Sequence, residues 1–99
     1  MLADRLAPVH PGEFLVEDFL KPLGLSQYRL ARALGVSPMR VSEIARGRRA
    51  VTPETAIRLG AALGTTPDYW LKLQARYDLD VARDLMDDGA VAAVERLVA

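Results

Sequence analysis

Arginine side chains are concentrated in the middle of the chain, within SQYRLARALGVSPMRVSEIARGRR at residues 26–49. A guanidinium group is a rigid fork of N–H donors that can bridge O6 and N7 of a guanine or pair with a phosphate oxygen. Residues 26–60 contain seven arginines and two glutamates, a net charge of +5, while acidic flanks bring the whole chain to zero. This asymmetry favours a positive face that binds nucleic acid, with solvated charge scattered by chance as the alternative.

Length and composition favour a small binding protein. At 99 residues the chain can bury one modest core, so residues 1–99 are expected to form a single domain. It has no cysteine, no apolar run long enough to cross a membrane and no secretory signal in its first residues, which together indicate a cytoplasmic setting.

No set of residues suggests an enzyme, a metal site or a cofactor. His10 is the single histidine, and without a second ligand it is expected to serve a helix start or the surface. The carboxylates of Glu13, Glu17 and Asp18 lie on one predicted helix, but no nucleophile or metal-binding partner accompanies them. The chemistry of this sequence therefore points to binding.

Helix punctuation predicts an all-α fold of six helices. The first helix starts after Pro11-Gly12 and ends at Pro22 and Gly24. Each of the next four helices follows a serine or threonine that can cap it, and in three cases proline comes directly after the cap. These cap residues are Ser26, Ser37, Thr52 and Thr66.

The C-terminal third is predicted to be helical as well. The fifth helix either continues or kinks before Asp87-Asp88-Gly89, and a short last helix follows it. That last helix is expected to align four apolar residues on one face, namely Val91, Val94, Leu97 and Val98.

Residues 26–47 have the spacing that a helix-turn-helix requires. Only a small side chain fits where the two helices cross, and Ala31 stands there, while Gly35 supplies the left-handed residue of the tight turn. The apolar residues that fix the pair to the body are Leu30, Leu34, Val36, Val41 and Ile44. The residues left pointing mostly outward are Ser37, Pro38, Met39, Arg40, Ser42, Glu43 and Arg46. A helical hairpin without a DNA role would need the same small and apolar residues, but it would not account for the arginines that follow.

This stretch resembles the lambda-repressor-like, Xre-type helix-turn-helix. HPGEFLVEDFLKPLGLSQ before it and RGRRAVTPETAIRLGAALGTTPDYWLKLQARYDL after it are similar to the HigA antitoxins, also called the VapI family, over residues 10–83. The segments HPGE and PDYWLKLQ favour the HigA antitoxins over generic repressors, which share the helix-turn-helix motif but usually lack these flanking segments. The resemblance implies a lambda-repressor-like five-helix domain with a C-terminal helical extension.

The resemblance also implies which residues meet DNA. By position, the base edges would be met by Ser37, Pro38, Met39, Arg40, Ser42 and Glu43. Arg40 is the one that can bridge a guanine, with a phosphate contact as the alternative. Glu43 either accepts from cytosine N4 or pairs with Arg40 or Arg46 on the helix surface.

Other residues of the motif are expected to contact the DNA backbone. Gln27 matches a position that touches phosphate in the superfamily, and Ser37 can do so through its own helix N-terminus. Arg46, Arg48 and Arg49 follow the recognition helix and would lie beside the backbone or a minor groove, or else in solvent.

Double-stranded operator DNA is thus the expected partner. Useful specificity from so small a module implies a homodimer on two half-sites, for which the helices at about residues 67–98 are the expected dimer surface.

The resemblance implies a HigB-type, mRNA-cleaving toxin as a further partner and repression of the shared operon. The acidic first helix would suit a basic toxin, although a solvated face explains it equally well. The alternatives are a stand-alone Xre-type repressor and, third, a protein-interaction domain.

Overall fold

The computed structural model describes residues 7–99, and residues 1–6, which the single-domain prediction includes, lie outside that range. The described residues contain helices and short connections without a strand, which confirms the all-α prediction. The helices are α1 (Pro11–Phe14), a π-helical segment (Leu15–Leu20), α2 (Lys21–Leu23), α3 (Gln27–Leu34), α4 (Pro38–Ala45), α5 (Pro53–Leu63), α6 (Pro67–Leu85) and α7 (Asp88–Ala92). Within this range no helix is both long and apolar enough to cross a membrane.

The first helix runs without a break through α1, the π-helical segment and α2. Its start is capped by His10, whose Nδ1 accepts a hydrogen bond from the Gly12 N–H at 2.8 Å, so the predicted helix-start role of this histidine is confirmed. Near the other end, Pro22 has no N–H and its ring would clash with the carbonyl four residues earlier. The helix widens ahead of it, and the Lys21 N–H donates to the carbonyl of Val16, five residues back. Pro22 therefore lies inside the last turn, so the prediction that it ends the helix is wrong. The helix ends at Gly24, the other predicted end.

The four predicted caps are all formed. The side-chain oxygens of Ser26, Ser37, Thr52 and Thr66 each accept a hydrogen bond from the backbone N–H three residues later. Such a bond satisfies one of the donors that a helix start leaves without an intrahelical partner, and it stabilises a helix by about 1 kcal/mol. The caps fix where α3, α4, α5 and α6 begin.

The core lies where α3, α4 and α5 meet the first helix and the beginning of α6. Its buried apolar residues are Leu15, Leu20, Leu30, Ala31, Leu34, Val41, Ile44, Val51, Ala56, Leu59 and Trp70. Trp70 has no exposed surface, and its indole Nε1–H donates to Thr65 Oγ at 2.7 Å. Tyr77, seven residues further along α6, packs edge-on against His10 with ring centroids 4.9 Å apart. The α6 face is thus anchored to the domain at two places.

The C-terminal arm, residues 78–99, extends away from this core. α6 continues without interruption to Leu85, yet its buried residues, Trp70 and Gln74, are both in its first half. The predicted last helix is shorter than expected, because α7 ends at Ala92 and leaves Val94, Leu97 and Val98 beyond it. A helix of five residues gains little stability alone, and within the described chain these apolar side chains stay exposed. The molecule consequently measures 50 Å along its longest axis against 27 and 22 Å along the others.

Candidate nucleic-acid interface

α3 and α4 form the helix-turn-helix that residues 26–47 predict. Ala31 is completely buried where the two helices cross. Gly35 takes a left-handed conformation, with φ of 73°, and its N–H donates to the Ala31 carbonyl at 2.9 Å. Only a residue that tolerates positive φ can close so tight a turn without strain. The turn directs α4 across the end of α3 and leaves one side of α4 open.

The open side of α4 contains four of the predicted DNA-contacting residues. Met39, Ser42, Glu43 and Arg46 are spaced at i, i+3, i+4 and i+7, so they share one face of the helix. Met39 is 68% exposed. The opposite side holds Val41 and Ile44, which are buried in the core. This exposed face is the surface that a helix in the major groove would present to base edges.

Two further predicted residues, Ser37 and Pro38, stand at the exposed start of α4. Ser37 is the cap, and its Oγ accepts from the Arg40 N–H at 3.2 Å. Gln27 is the one predicted residue outside α4 and the loop after it: it is half-buried at the first position of α3. Nine of the ten predicted residues thus belong to one continuous segment, and Gln27 stands at the start of the neighbouring helix.

Arg40 does not point outward, and that expectation from the sequence is wrong. Its side chain is only 25% exposed and turns toward the start of α5. There one nitrogen, Nη2, donates to Glu54 Oε1 at 2.7 Å and to Thr55 Oγ at 2.7 Å. Base reading by Arg40 stays a prediction; in this structure its guanidinium is bonded to the start of α5.

Glu43 also has a different partner from the ones expected. It pairs neither with Arg40 nor with Arg46; its Oε1 lies 2.6 Å from Nη2 and 2.8 Å from Nε of Arg49. This pair connects the open face of α4 to the loop that follows it. Among the described residues, Arg46 and Arg48 form no salt bridge and are exposed, so their charges are available to an anion.

The loop after α4 is shaped by backbone hydrogen bonds. The Arg48 N–H donates to the Glu43 carbonyl at 2.8 Å, and the Gly47 N–H donates to the Ile44 carbonyl at 3.0 Å. His10 lies under this loop, beside Gly47. Burial is the largest influence on the pKa of His10 and lowers it, while the backbone of Arg49 and the nearby carboxylates of Asp78 and Glu13 oppose the shift. The arginines of the loop are therefore carried on a fixed backbone.

Three residues of the interface escape the sequence reasoning: Glu54, Thr55 and Arg58. Arg58 Nε donates to Glu54 Oε2 at 2.9 Å, and Nη1 of the same arginine donates to the Leu34 carbonyl at 2.8 Å. Hydrogen bonds from Arg40 and then from Arg58 lower the pKa of Glu54. The spacing of Glu54 and Arg58 at i and i+4 is a sequence signal for their pair, but no local pattern links Glu54 to a residue fourteen positions earlier.

Comparison with known proteins places this geometry in a family. Residues 16–70 match the helix-turn-helix family. The chain is 47% identical to virulence-associated protein I of Dichelobacter nodosus over 79 residues, which cover 80% of this chain and 73% of that protein. It is 44% identical to antitoxin HigA-1 of Vibrio cholerae over 79 residues, covering 80% and 74% respectively. The solved structure of antitoxin GraA in complex with its operator aligns with a TM-score of 0.87 at 46% identity, over 95% of each chain.

These similarities extend well beyond the helix-turn-helix itself. They include the first helix and α6, the segments that the sequence resemblance used to separate antitoxins from generic repressors. The chain belongs to the helix-turn-helix family and, within it, to the group of HigA antitoxins and virulence-associated-protein-I-like proteins.

Proposed function

We propose that the chain is a sequence-specific DNA-binding antitoxin that represses its own operon and neutralises the mRNA-cleaving toxin encoded with it. The observation that carries the DNA-binding part is the open face of α4, which ends at the exposed cation Arg46 and is followed by the exposed Arg48. The similarity to an antitoxin solved with its operator supports the same use of this face. Binding without catalysis, in the cytoplasm where the operator is, fits this role.

The DNA-binding test is a salt titration. The probe is the DNA upstream of the gene, with a scrambled duplex of equal length as the reference. Arg48→Met removes one charge from the edge of the interface, so it should weaken both duplexes about equally and reduce the slope of log affinity against log salt by about 0.9 for each phosphate that the arginine neutralises. The matched control is Lys72→Met, which removes one charge from an exposed position on α6. It should change neither the affinity for either duplex nor the salt slope. A weakening confined to one sequence would show that Arg48 reads bases.

Two copies of the chain would act together. Useful specificity from one small module requires a second half-site about 34 Å away, since a single recognition helix meets few base pairs. The C-terminal arm supports this arrangement, because its apolar residues are open to solvent. The exposed fractions of Leu85, Met86 and Val94 are 82%, 50% and 72%. We propose that the dimer interface lies there. Sedimentation of the wild type as a dimer, and of Leu85→Ser with Met86→Ser as a monomer, is the expected result; a double variant that remains dimeric would move the interface elsewhere.

The toxin partnership is tested separately from DNA binding. If the native operon is expressed with an affinity tag on this chain, a small basic protein encoded beside it should co-purify, and the chain should relieve the growth arrest that this protein causes. Operator binding without either result would favour a stand-alone repressor of the same fold. The surface that would suit a basic toxin is the acidic side of the first helix, where Glu13, Glu17 and Asp18 are exposed. Glu17 already pairs with Lys21 at 2.8 Å.

A further inference from the structure

Arg40 occupies the first turn of the recognition helix, but one of its terminal nitrogens, Nη2, is already bonded to α5. Nη2 carries two N–H groups, and the two hydrogen bonds to Glu54 and Thr55 use both. Thr55 is 2% exposed, and its Oγ also accepts from the Thr52 hydroxyl at 3.2 Å. Moving Arg40 to a base edge would thus break two short hydrogen bonds, one of them to a buried acceptor, before the side chain could reach the DNA.

Glu54 links this arginine to the other helix of the motif. Its Oε1 accepts from Arg40 on α4, and its Oε2 accepts from Arg58, which in turn donates to the carbonyl of Leu34 at the end of α3. One carboxylate in the first turn of α5 therefore connects the start of the recognition helix with the end of the helix before it. The N-terminal end of α5 favours a negative charge at this position. The lowered pKa of Glu54 agrees with a carboxylate that stays charged between two guanidinium groups.

We propose that Arg40 is a positioning residue for operator recognition: through Glu54 and Thr55 it fixes the angle of α4 against α5. This inference rests on the proposed DNA-binding function. Base discrimination then lies with the open face of α4, which Arg40 keeps in the orientation required for the groove. Glu54 is essential to this arrangement although its place at the start of α5 gives it no base to read.

The two possible roles of Arg40 predict opposite effects of replacing Glu54 on operator affinity. If Arg40 reads a base, Glu54 competes with DNA for it, so Glu54→Gln should leave operator affinity unchanged or tighten it. Removing a negative charge near DNA should favour tightening in any case. If Arg40 positions α4, the same substitution should weaken operator binding in spite of the more favourable charge.

The experiment compares Arg40→Met, Glu54→Gln and the double variant by fluorescence anisotropy. Each is titrated with the upstream DNA, with a set of duplexes in which every base pair is replaced in turn, and with scrambled DNA. Each single variant should lose operator affinity about tenfold, the equivalent of one hydrogen bond to a charged group, and the double variant should lose no more than about the same. The rank order of the substituted duplexes should not change, because none of these variants alters a group that touches a base.

Asp68→Asn is the matched control. Asp68 follows Thr66-Pro67 at the start of α6 as Glu54 follows Thr52-Pro53 at the start of α5, so this variant also loses a first-turn carboxylate. It should retain wild-type affinity. Melting temperatures report whether each variant folds, and Glu54, with a side chain 59% exposed, supplies a foldable variant even if Arg40→Met does not fold.

Two results would overturn the proposal. The first is loss of preference at a single G·C pair in Arg40→Met together with unchanged or tighter binding by Glu54→Gln, which would make Arg40 a base reader. The second is wild-type affinity in both single variants. If the wild type does not prefer the upstream DNA at all, the proposed function fails by itself. The positioning role is then judged by a double-mutant cycle of unfolding, and independent effects of the two substitutions would refute it.

Discussion

Replacing Gly12 with alanine tests how closely the first helix approaches the recognition helix. Gly12 is buried in α1, and a Cβ atom built on it would lie 1.9 Å from the carbonyl oxygen of Ile44 and 2.9 Å from the carbonyl carbon. Both of these are backbone atoms near the end of α4, so no side chain can rotate away to relieve the clash. Gly12 does not have positive φ, so the reason for glycine here is space and not conformation.

The expected cost of Gly12→Ala is large. Because real Cβ atoms essentially never approach another atom within 3.0 Å, the two backbones must separate by more than an ångström. Overpacking typically costs about 1–3 kcal/mol, and a clash between two backbones belongs at the upper end, about 3 kcal/mol. For a domain of this size that lowers the melting temperature by about 12–24 °C. Because Ile44 belongs to α4, operator affinity should fall as well.

Thermal unfolding followed by circular dichroism measures this effect. Gly89→Ala is the control, since the nearest atom to its new Cβ would be the flexible side-chain oxygen of Asp87, at 3.3 Å. That variant should melt within about 4 °C of the wild type, because surface substitutions change stability by only about 0.5 kcal/mol. A Gly12→Ala protein that melts as the control does would show that α1 and α4 can separate without cost, and the reasoning from close approach would be refuted.

Two further substitutions test the buried polar groups. Thr65→Val keeps the shape of the side chain but removes the acceptor of the buried Trp70 indole N–H, so the free energy of unfolding in urea should fall by about 1–3 kcal/mol; an unchanged midpoint would show that this hydrogen bond contributes nothing. Burial lowers the pKa of His10 below 6.5, so the unfolded chain binds this proton more readily, and stability should decline as pH falls through 6.5 toward the lower folded value. His10→Asn keeps an acceptor at the cap but cannot titrate, and its unfolding free energy should depend less on pH in this range; a slope equal to that of the wild type would assign the dependence to other groups.

The parts of the fold that sequence predicts well are those decided within a few residues. A cap such as Ser37 bonds to the N–H three positions later, and the turn at Gly35 depends on the backbone of that residue alone. The crossing at Ala31 is also predictable, since only a small side chain fits between two helices joined by so short a turn. The helix-turn-helix and its open face could therefore be located from the sequence.

The parts that sequence misses depend on how distant elements pack. Pro11-Gly12 suggests a break before the first helix, but Gly12 lies inside that helix, where α4 comes too close for any larger residue. The last helix has the apolar pattern of a longer one, yet without a neighbour to bury that pattern it ends at Ala92. The direction of Arg40 depends on Glu54, which only the packing of α5 beside α4 brings within reach.

The same packing changes what the basic middle of the chain offers to DNA. Of its seven arginines, Arg40 and Arg58 are joined to Glu54, and Arg49 is joined to Glu43. A phosphate near any of these arginines would have to compete with a carboxylate already in place. Each paired arginine therefore releases fewer counterions from the DNA than its formal charge suggests. Among the described residues the arginines of this segment without a salt bridge are Arg29, Arg32, Arg46 and Arg48. At about 0.9 for each neutralised phosphate, these four alone would contribute about 3.6 to the salt slope for each copy of the chain, where seven free arginines would contribute about 6.3. The number of arginines therefore overstates the electrostatic part of binding, because three of the seven are paired within the protein. The four that remain lie on α3 and at the end of α4 with the loop after it.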